Sequence, residues 1–390
     1  MPVKAAPRKP SLWEDVLLGV PLERAPSLVP GVLLAVALVG AAIVLTDLVN
    51  RLLGYQSLVS YIMMAIVLGL AVRNLAGVPG VFRPGIAFCL KKLLRLGIIM
   101  MGIRLSVLDA ARIGVWGIPI VVVAIATGLI VTTYFTRLLR LPDRLGTLIA
   151  VGTGICGASA IVAAAPTIEA RDEEVAYAVA NITIFGIAAM FFYPYIAYYL
   201  FGGNAVMAGL FQGTSIHETA QVTGAGLIYD QTFNTGLKPS AVDVAVVTKL
   251  LRNIFMALVI PLMAVVYARR MSSQGKTGGK AVRVWTLFPY FILGFLAMAA
   301  VRSLGDAGLE GGMPALAFWD APSWKGITSS VALWAGYVLA AAMAGVGLGT
   351  GLGSLRGMGI RPFYIGLLSA GAVGLASIAA VLFLGRYVAF

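Results

Sequence analysis

The chain has 390 residues, of which 60% are hydrophobic and 12% charged, with a mean hydropathy of +0.94 and a formal net charge of +13. A soluble fold of this length cannot hide so much apolar surface, so the composition excludes a water-soluble enzyme or binding module and calls for lipid as solvent. The basic excess points to cytoplasmic loops of a membrane protein rather than to nucleic acid, and a single histidine excludes an HExxH zinc site.

Residues 1–28 are polar, basic and proline-bearing, and read as a cytoplasmic tail. The apolar run that follows is too long for a signal-peptide core. It predicts an extra N-terminal transmembrane helix with its loop over 29–56. Further full-length apolar segments fall near 57–74, 86–106, 115–136, 176–201, 243–268, 284–302, 327–349 and 363–385. Each approaches the roughly 20 residues a helix needs to cross the hydrocarbon core. Within 86–106, Lys91, Lys92, Arg95 and Arg104 are expected to snorkel toward the head groups. Cys89 and Cys156 lie in different apolar segments and suggest neither a disulfide nor a zinc framework.

Two stretches are apolar but interrupted by small polar residues: AVGTGICGASAIVAAAPTI within 146–168 and FQGTSIHETAQVTGAGLI within 204–228. Such clusters break a helix and free backbone groups, which membranes tolerate only inside protein or beside a wet cavity. With a cytoplasmic N-terminus and nine crossing segments, seventeen Lys and Arg fall on the inner side and six on the outer. That bias orients the chain and places its C-terminus in the periplasm.

Internal similarity is also present. YIMMAIVLGLAVRNL (61–75) is similar to YFILGFLAMAAVRSL (290–304), and MMGIRLSVLDAARIG (100–114) to MAGVGLGTGLGSLRG (343–357). GTGICGASAI (152–161) and GTSIHETAQV (213–222) share GTxI. Each is followed by a segment with an acidic start, an internal asparagine (Asn181; Asn253) and a later proline (Pro194; Pro261). The pattern predicts an all-α polytopic membrane protein built on inverted repeats, the second circularly permuted, with two broken helices. Inversion of the pair 176–201 and 243–268 holds only if both broken stretches turn back, so re-entrant hairpins are expected at 152–159 from the cytoplasm and at 213–220 from outside. If both cross instead, the loop charges fit equally well but the inversion fails for that pair.

Interrupted helices meeting in a membrane offer amide groups and dipole ends to a ligand. The expected substrate-binding groups are Thr153, Gly154 and Ser159 on one stretch, and Thr214, Ser215 and Gln221 on the other. Lys249 and Arg252, three apart in AVVTKLLRNIF, share a helix face about two turns inside a span, where a charge needs a partner or water. They are the expected anion grip, with structural pairing to Glu218 or Asp243 as the alternative. His217 and Glu218, with Asn181 and Asn253, are candidates for coupling or gating.

FRPGIAFCLKKLLRLGIIMMGIRLS, GTGICGASAI, GTSIHETAQVTGAG and the KLLRN segment resemble the YeiH-like family of bacterial inner-membrane proteins, whose members are named as sulfate exporters. The resemblance runs from about residue 57 to the end. It also implies distant kinship to bile-acid–sodium symporters, in which two broken helices cross at the binding site. That kinship implies an elevator-like or rocking movement, with 146–268 as the core and 57–145 and 269–390 as panel or scaffold helices. The expected function is secondary transport of sulfate, sulfite or a sulfonate-like anion, coupled to protons or sodium. Alternatives are a cation/proton antiporter using Glu218 and His217, and an intramembrane hydrolase using Ser215 or Ser159 with His217. Expected partners are the anion, a proton or sodium, membrane lipid and a second copy in a homodimer, without nucleic acid, metal or cofactor.

Overall fold

The computed structural model describes residues 10–53, 60–233, 239–273, 289–351 and 360–388. The helices are α1 (Leu12–Leu17), α2 (Val29–Leu53), α3 (Tyr61–Ala71), α4 (Arg83–Phe88), α5 (Leu94–Met101), α6 (Val107–Leu138), α7 (Asp143–Gly154) and α8 (Ala158–Ala164). They continue with α9 (Asp172–Leu200), α10 (Ala205–Ser215), α11 (Thr219–Phe233), α12 (Ala241–Ile254), α13 (Met256–Ser273), α14 (Phe291–Glu310), α15 (Ala321–Gly349) and α16 (Ile360–Leu384). No strand forms among the described residues beyond an isolated bridge between Ala315 and Trp319. The all-α membrane class predicted from composition is the class observed.

Six of these helical segments are long and apolar enough to cross a bilayer, or seven if α12 and α13 count as one bent span. The sequence pattern predicted nine. The shortfall lies partly in the predicted segments 57–74, of which 57–59 lie outside the described residues, and 86–106, whose described parts are helical but divided. A π-helical turn over Val72–Ala76 ends the helix begun by α3, and another over Cys89–Leu93 separates α4 from α5. The third difference is the 41° bend between α12 and α13. Pro261, nearly two turns beyond the bend, lacks an amide hydrogen and crowds the carbonyl of Ala257. Residues 284–288 of the predicted 284–302 segment lie outside the described residues.

The chain forms two compact units. One comprises Met1–Met101 with Lys325–Leu352; the other comprises Gly102–Trp324 with Gly353–Phe390. In the first unit helices meet through glycine: a Cβ on Gly347 would lie 2.3 Å from the Ile66 carbonyl, and one on Gly69 2.7 Å from that of Ala344. Small residues let backbones approach this closely where lipid removes the hydrophobic drive between helices. The tail at 1–28 is anchored where it is described. Buried Glu14 accepts from the amides of Ser11 (2.6 Å) and Leu22 (3.0 Å). Lys92 donates to the Asp15 carbonyl, so it holds the tail rather than snorkelling freely.

In the second unit, the bent span α12–α13 sets the frame. Gly209 of α10 backs onto Ala241 and Val244, each 2.6 Å from where a Cβ would stand, and Gly213 lies as close to Ala245 and Thr248 (2.7 Å). Helix α10 therefore runs beside α12 in the same direction. Helix α11 returns: Thr219 meets Asn253 (3.1 Å), and a Cβ on Gly226 would lie 2.6 Å from Val242. Helix α7 pairs with α13 instead, through Arg144 to Tyr267 (3.2 Å) at one end and Cys156 to Met256 (3.5 Å) at the other. Helix α8 doubles back along it, with Ile161 against Gly152. Two helical hairpins thus flank opposite halves of one bent span, and their tips meet at its middle.

Candidate functional site

The first tip is Ile155–Gly157. Gly157 has φ +70° and ψ −129°, a conformation essentially reserved for glycine, and it turns the chain into α8. The second tip is Ile216–Glu218, where Ile216 is extended (φ −82°, ψ 142°) and ends α10. Each tip follows a helix C-terminus, whose last carbonyls have no partner within the helix. They carry roughly half a negative charge per helix end.

Those carbonyls go to Lys249 and Arg252, both fully buried. The Lys249 ammonium donates to the carbonyls of Ile155 (2.9 Å) and Ile216 (2.9 Å) and to that of His217. The Arg252 guanidinium donates to the carbonyls of Gly154 (3.0 Å), Thr214 (2.6 Å) and Ile216 (3.2 Å), and to that of Thr153. The three-residue spacing puts both side chains on one face, and that face looks at both tips. An ammonium has three donors, and all three are engaged.

The remaining sequence-predicted residues distribute around this centre. Thr153, Gly154 and Thr214 contribute backbone carbonyls. The hydroxyls of Thr214 and Ser215 turn back to their own helix, at Leu210 (2.7 Å) and Phe211 (2.5 Å). Gln221 ties the second tip to α9, accepting from the Glu218 amide (3.2 Å) and donating to the Thr183 carbonyl (3.1 Å). Asn253 holds the start of α11 through Thr219. Asn181 donates to the Pro362 carbonyl of α16 (2.7 Å) rather than to either tip. Ser159 is exposed on α8.

His217 is buried and gives its carbonyl to Lys249, while its Nδ1 has no partner among the described residues. Glu218 is half-buried and crosses from the second tip to the first. Its carboxylate accepts from the Ala158 amide, and its Cγ lies 2.6 Å from where a Cβ on Gly157 would stand. It is the one carboxylate brought to the two cations among the described residues of the tips.

Charge balance follows from these contacts. Two cations face two helix C-termini, worth together about one negative charge, and one ionised glutamate makes up the rest. With Lys249 and Arg252 both protonated, the centre is neutral while Glu218 is ionised. It carries about one positive charge when Glu218 is protonated or withdrawn.

Two residues outside the predicted site hold the frame. Arg104 does not snorkel: its Nε lies 3.1 Å from Asp243 Oδ1, and its Nη2 donates to Ser240 Oγ (3.0 Å). The partner of Asp243 is thus Arg104 and not the Lys249–Arg252 pair. Asp230, which the sequence pattern did not single out, accepts from the amides of Ala241 (2.9 Å) and Val242 (3.1 Å) and caps α12.

Over residues 30–366 the chain matches the family described as "Conserved hypothetical protein 698". It is 33% identical over 318 residues to a UPF0324 membrane protein of Bacillus cereus, covering 82% of this chain and 85% of the relative. It is 34% identical over 336 residues to one of Corynebacterium glutamicum (86% and 87% covered). Against one of Pseudomonas aeruginosa it is 32% identical over 356 residues (89% and 92% covered).

Proposed function

The chain belongs to the family described as conserved hypothetical protein 698, the YeiH-like family that its GTxI and KLLRN stretches resemble, and we propose that this multi-pass membrane protein is a secondary transporter of a small anion. The observation that carries this reading is the pair of buried cations, Lys249 and Arg252, at the meeting point of two broken helices, with Glu218 as the nearby carboxylate. Fixed positive charge in a membrane must be compensated, and here the compensating carboxylate sits on a half-buried residue at a hairpin tip. A monoanionic sulfonate or hydrogensulfite that takes the place of the Glu218 carboxylate restores neutrality, and a sulfate or sulfite dianion does so together with one further proton or sodium ion. Sulfate, sulfite or a sulfonate fits this exchange, because tetrahedral or pyramidal oxyanions accept from several amides and cations at once.

In this reading Lys249 and Arg252 attract the anion through their field while their donors stay on backbone carbonyls. The anion's direct donors are then amides at the tips, including that of Ala158, which Glu218 occupies. Glu218 couples proton binding to anion binding, with sodium as the other coupling ion to test. Alternating access follows from movement of the unit that carries both hairpins. The bacterial inner membrane, with the N-terminus cytoplasmic and the C-terminus periplasmic, is the location that the loop charges favour.

A cation/proton antiporter is less well supported. The carbonyls that would ligate a transported cation already hold Lys249 and Arg252. A hydrolase built on Ser215 and His217 has the further difficulty that the Ser215 proton is committed to Phe211. The test is flux in proteoliposomes. Labelled sulfate, sulfite and a small sulfonate are expected to exchange or accumulate under an imposed pH gradient. Absence of flux for all three, with turnover of a lipid or peptide, refutes the transporter reading.

A further inference from the structure

Three backbone carbonyls converge on one nitrogen at the crossing of the hairpin tips. Ile155 supplies one from the end of α7, and Ile216 and His217 supply two from the end of α10. They come from segments 94, 33 and 32 residues from Lys249, so no local turn explains their convergence. Unwound carbonyls at half-helix C-termini are the groups with which broken-helix carriers ligate a coupling cation. Two such ends, facing one another away from water, repel unless a cation lies between them. The ammonium is held as a bound ion would be, by oxygen atoms alone and with no carboxylate in direct contact in the described contacts.

We propose that the carbonyls of Ile155, Ile216 and His217 form a monovalent-cation site that Lys249 fills as a tethered ion. The native protein then needs no sodium or potassium at this point. Cutting the lysine back opens the site to an alkali cation or to a small primary ammonium. Arg252 shares the Ile216 carbonyl but cannot take over the other two, because its remaining donors are spread over the neighbouring carbonyls of Thr153, Gly154 and Thr214. The site stands on this geometry, and its consequence, transport indifferent to sodium, rests on the transporter reading.

The test compares full-length wild type with Lys249→Ala and Lys249→Met in detergent. Apparent melting temperature is measured in choline chloride and, at equal ionic strength, in sodium, potassium or n-propylammonium chloride. Wild type is expected to melt at one temperature in all four. Lys249→Ala is expected to melt lower in choline and to rise saturably with at least one small cation, as selective binding to the folded state requires. Lys249→Met keeps the side-chain volume without the charge, and is expected to stay low throughout.

A Lys249→Ala protein that no cation stabilises overturns the proposal, as does wild type stabilised by sodium over choline. If Lys249→Ala cannot be purified in choline, its monodisperse yield on extraction is compared with and without the cations. Recovery supports the site, and failure in every salt overturns it. Cation rescue in a protein that moves no small anion leaves the site standing and removes the transporter reading. Anion flux without rescue does the reverse.

Discussion

Replacing Arg252 by methionine tests the centre most directly. The guanidinium serves four carbonyls, and that of Ile216 keeps Lys249 as a second donor. The carbonyls of Thr153, Gly154 and Thr214 lose the side-chain donor they have, in positions closed to water. Leaving one buried polar group unsatisfied costs about 1–3 kcal/mol, so three cost about 3–9 kcal/mol. For a chain of 390 residues each kcal/mol moves the melting temperature by about 1.2 °C, which gives a loss of at least about 4 °C. Arg252→Lys retains the charge but not the fork, and is expected to lose less. Thermal unfolding in detergent, followed by tryptophan fluorescence, measures both. A methionine variant within about 2 °C of wild type refutes the assignment of Arg252 as the donor that closes the two helix ends.

Glu218→Gln imitates the protonated carboxyl. If the ionised carboxylate competes with the anion, wild type binds anion more tightly as pH falls, whereas the glutamine variant binds tightly with a flat pH profile in calorimetry; a wild-type profile in the variant removes Glu218 from coupling. Arg104→Gln leaves Asp243 buried without its cation and is expected to cost about 1–4 kcal/mol, between the exposed and buried limits for an ion pair. Adding Asp243→Asn is expected to restore much of that stability, and a double variant as unstable as the single one contradicts the pairing. Gly157→Ala forces a side chain into a glycine-only conformation, at about 1–3 kcal/mol, and drives its Cβ against Glu218. It is expected to lower anion flux more than Gly154→Ala, whose added Cβ meets nothing nearer than 3.2 Å.

Much of this protein is legible in its sequence. Apolar runs of bilayer length, separated by basic loops, require helices in lipid, because only internally satisfied backbone survives there. The two GTxI stretches announce breaks through their small polar residues, and both breaks fall within them. The three-residue spacing of Lys249 and Arg252 dictates a shared face, since helical periodicity is a local property.

What the face looks at is not local. The acceptors of Lys249 are backbone carbonyls as far as 94 residues away, and a carbonyl has no sequence signature because every residue carries one. The pairing of Arg104 with Asp243 joins residues 139 positions apart, and nothing in either neighbourhood selects the other. The bend at Phe255 likewise matters only because two hairpin tips from elsewhere in the chain meet beside it. Sequence alone determined that there are helices, where two of them break and which cations share a face. Only tertiary packing decided that those cations close the broken ends, because a buried charge takes whichever unsatisfied groups the fold brings within reach.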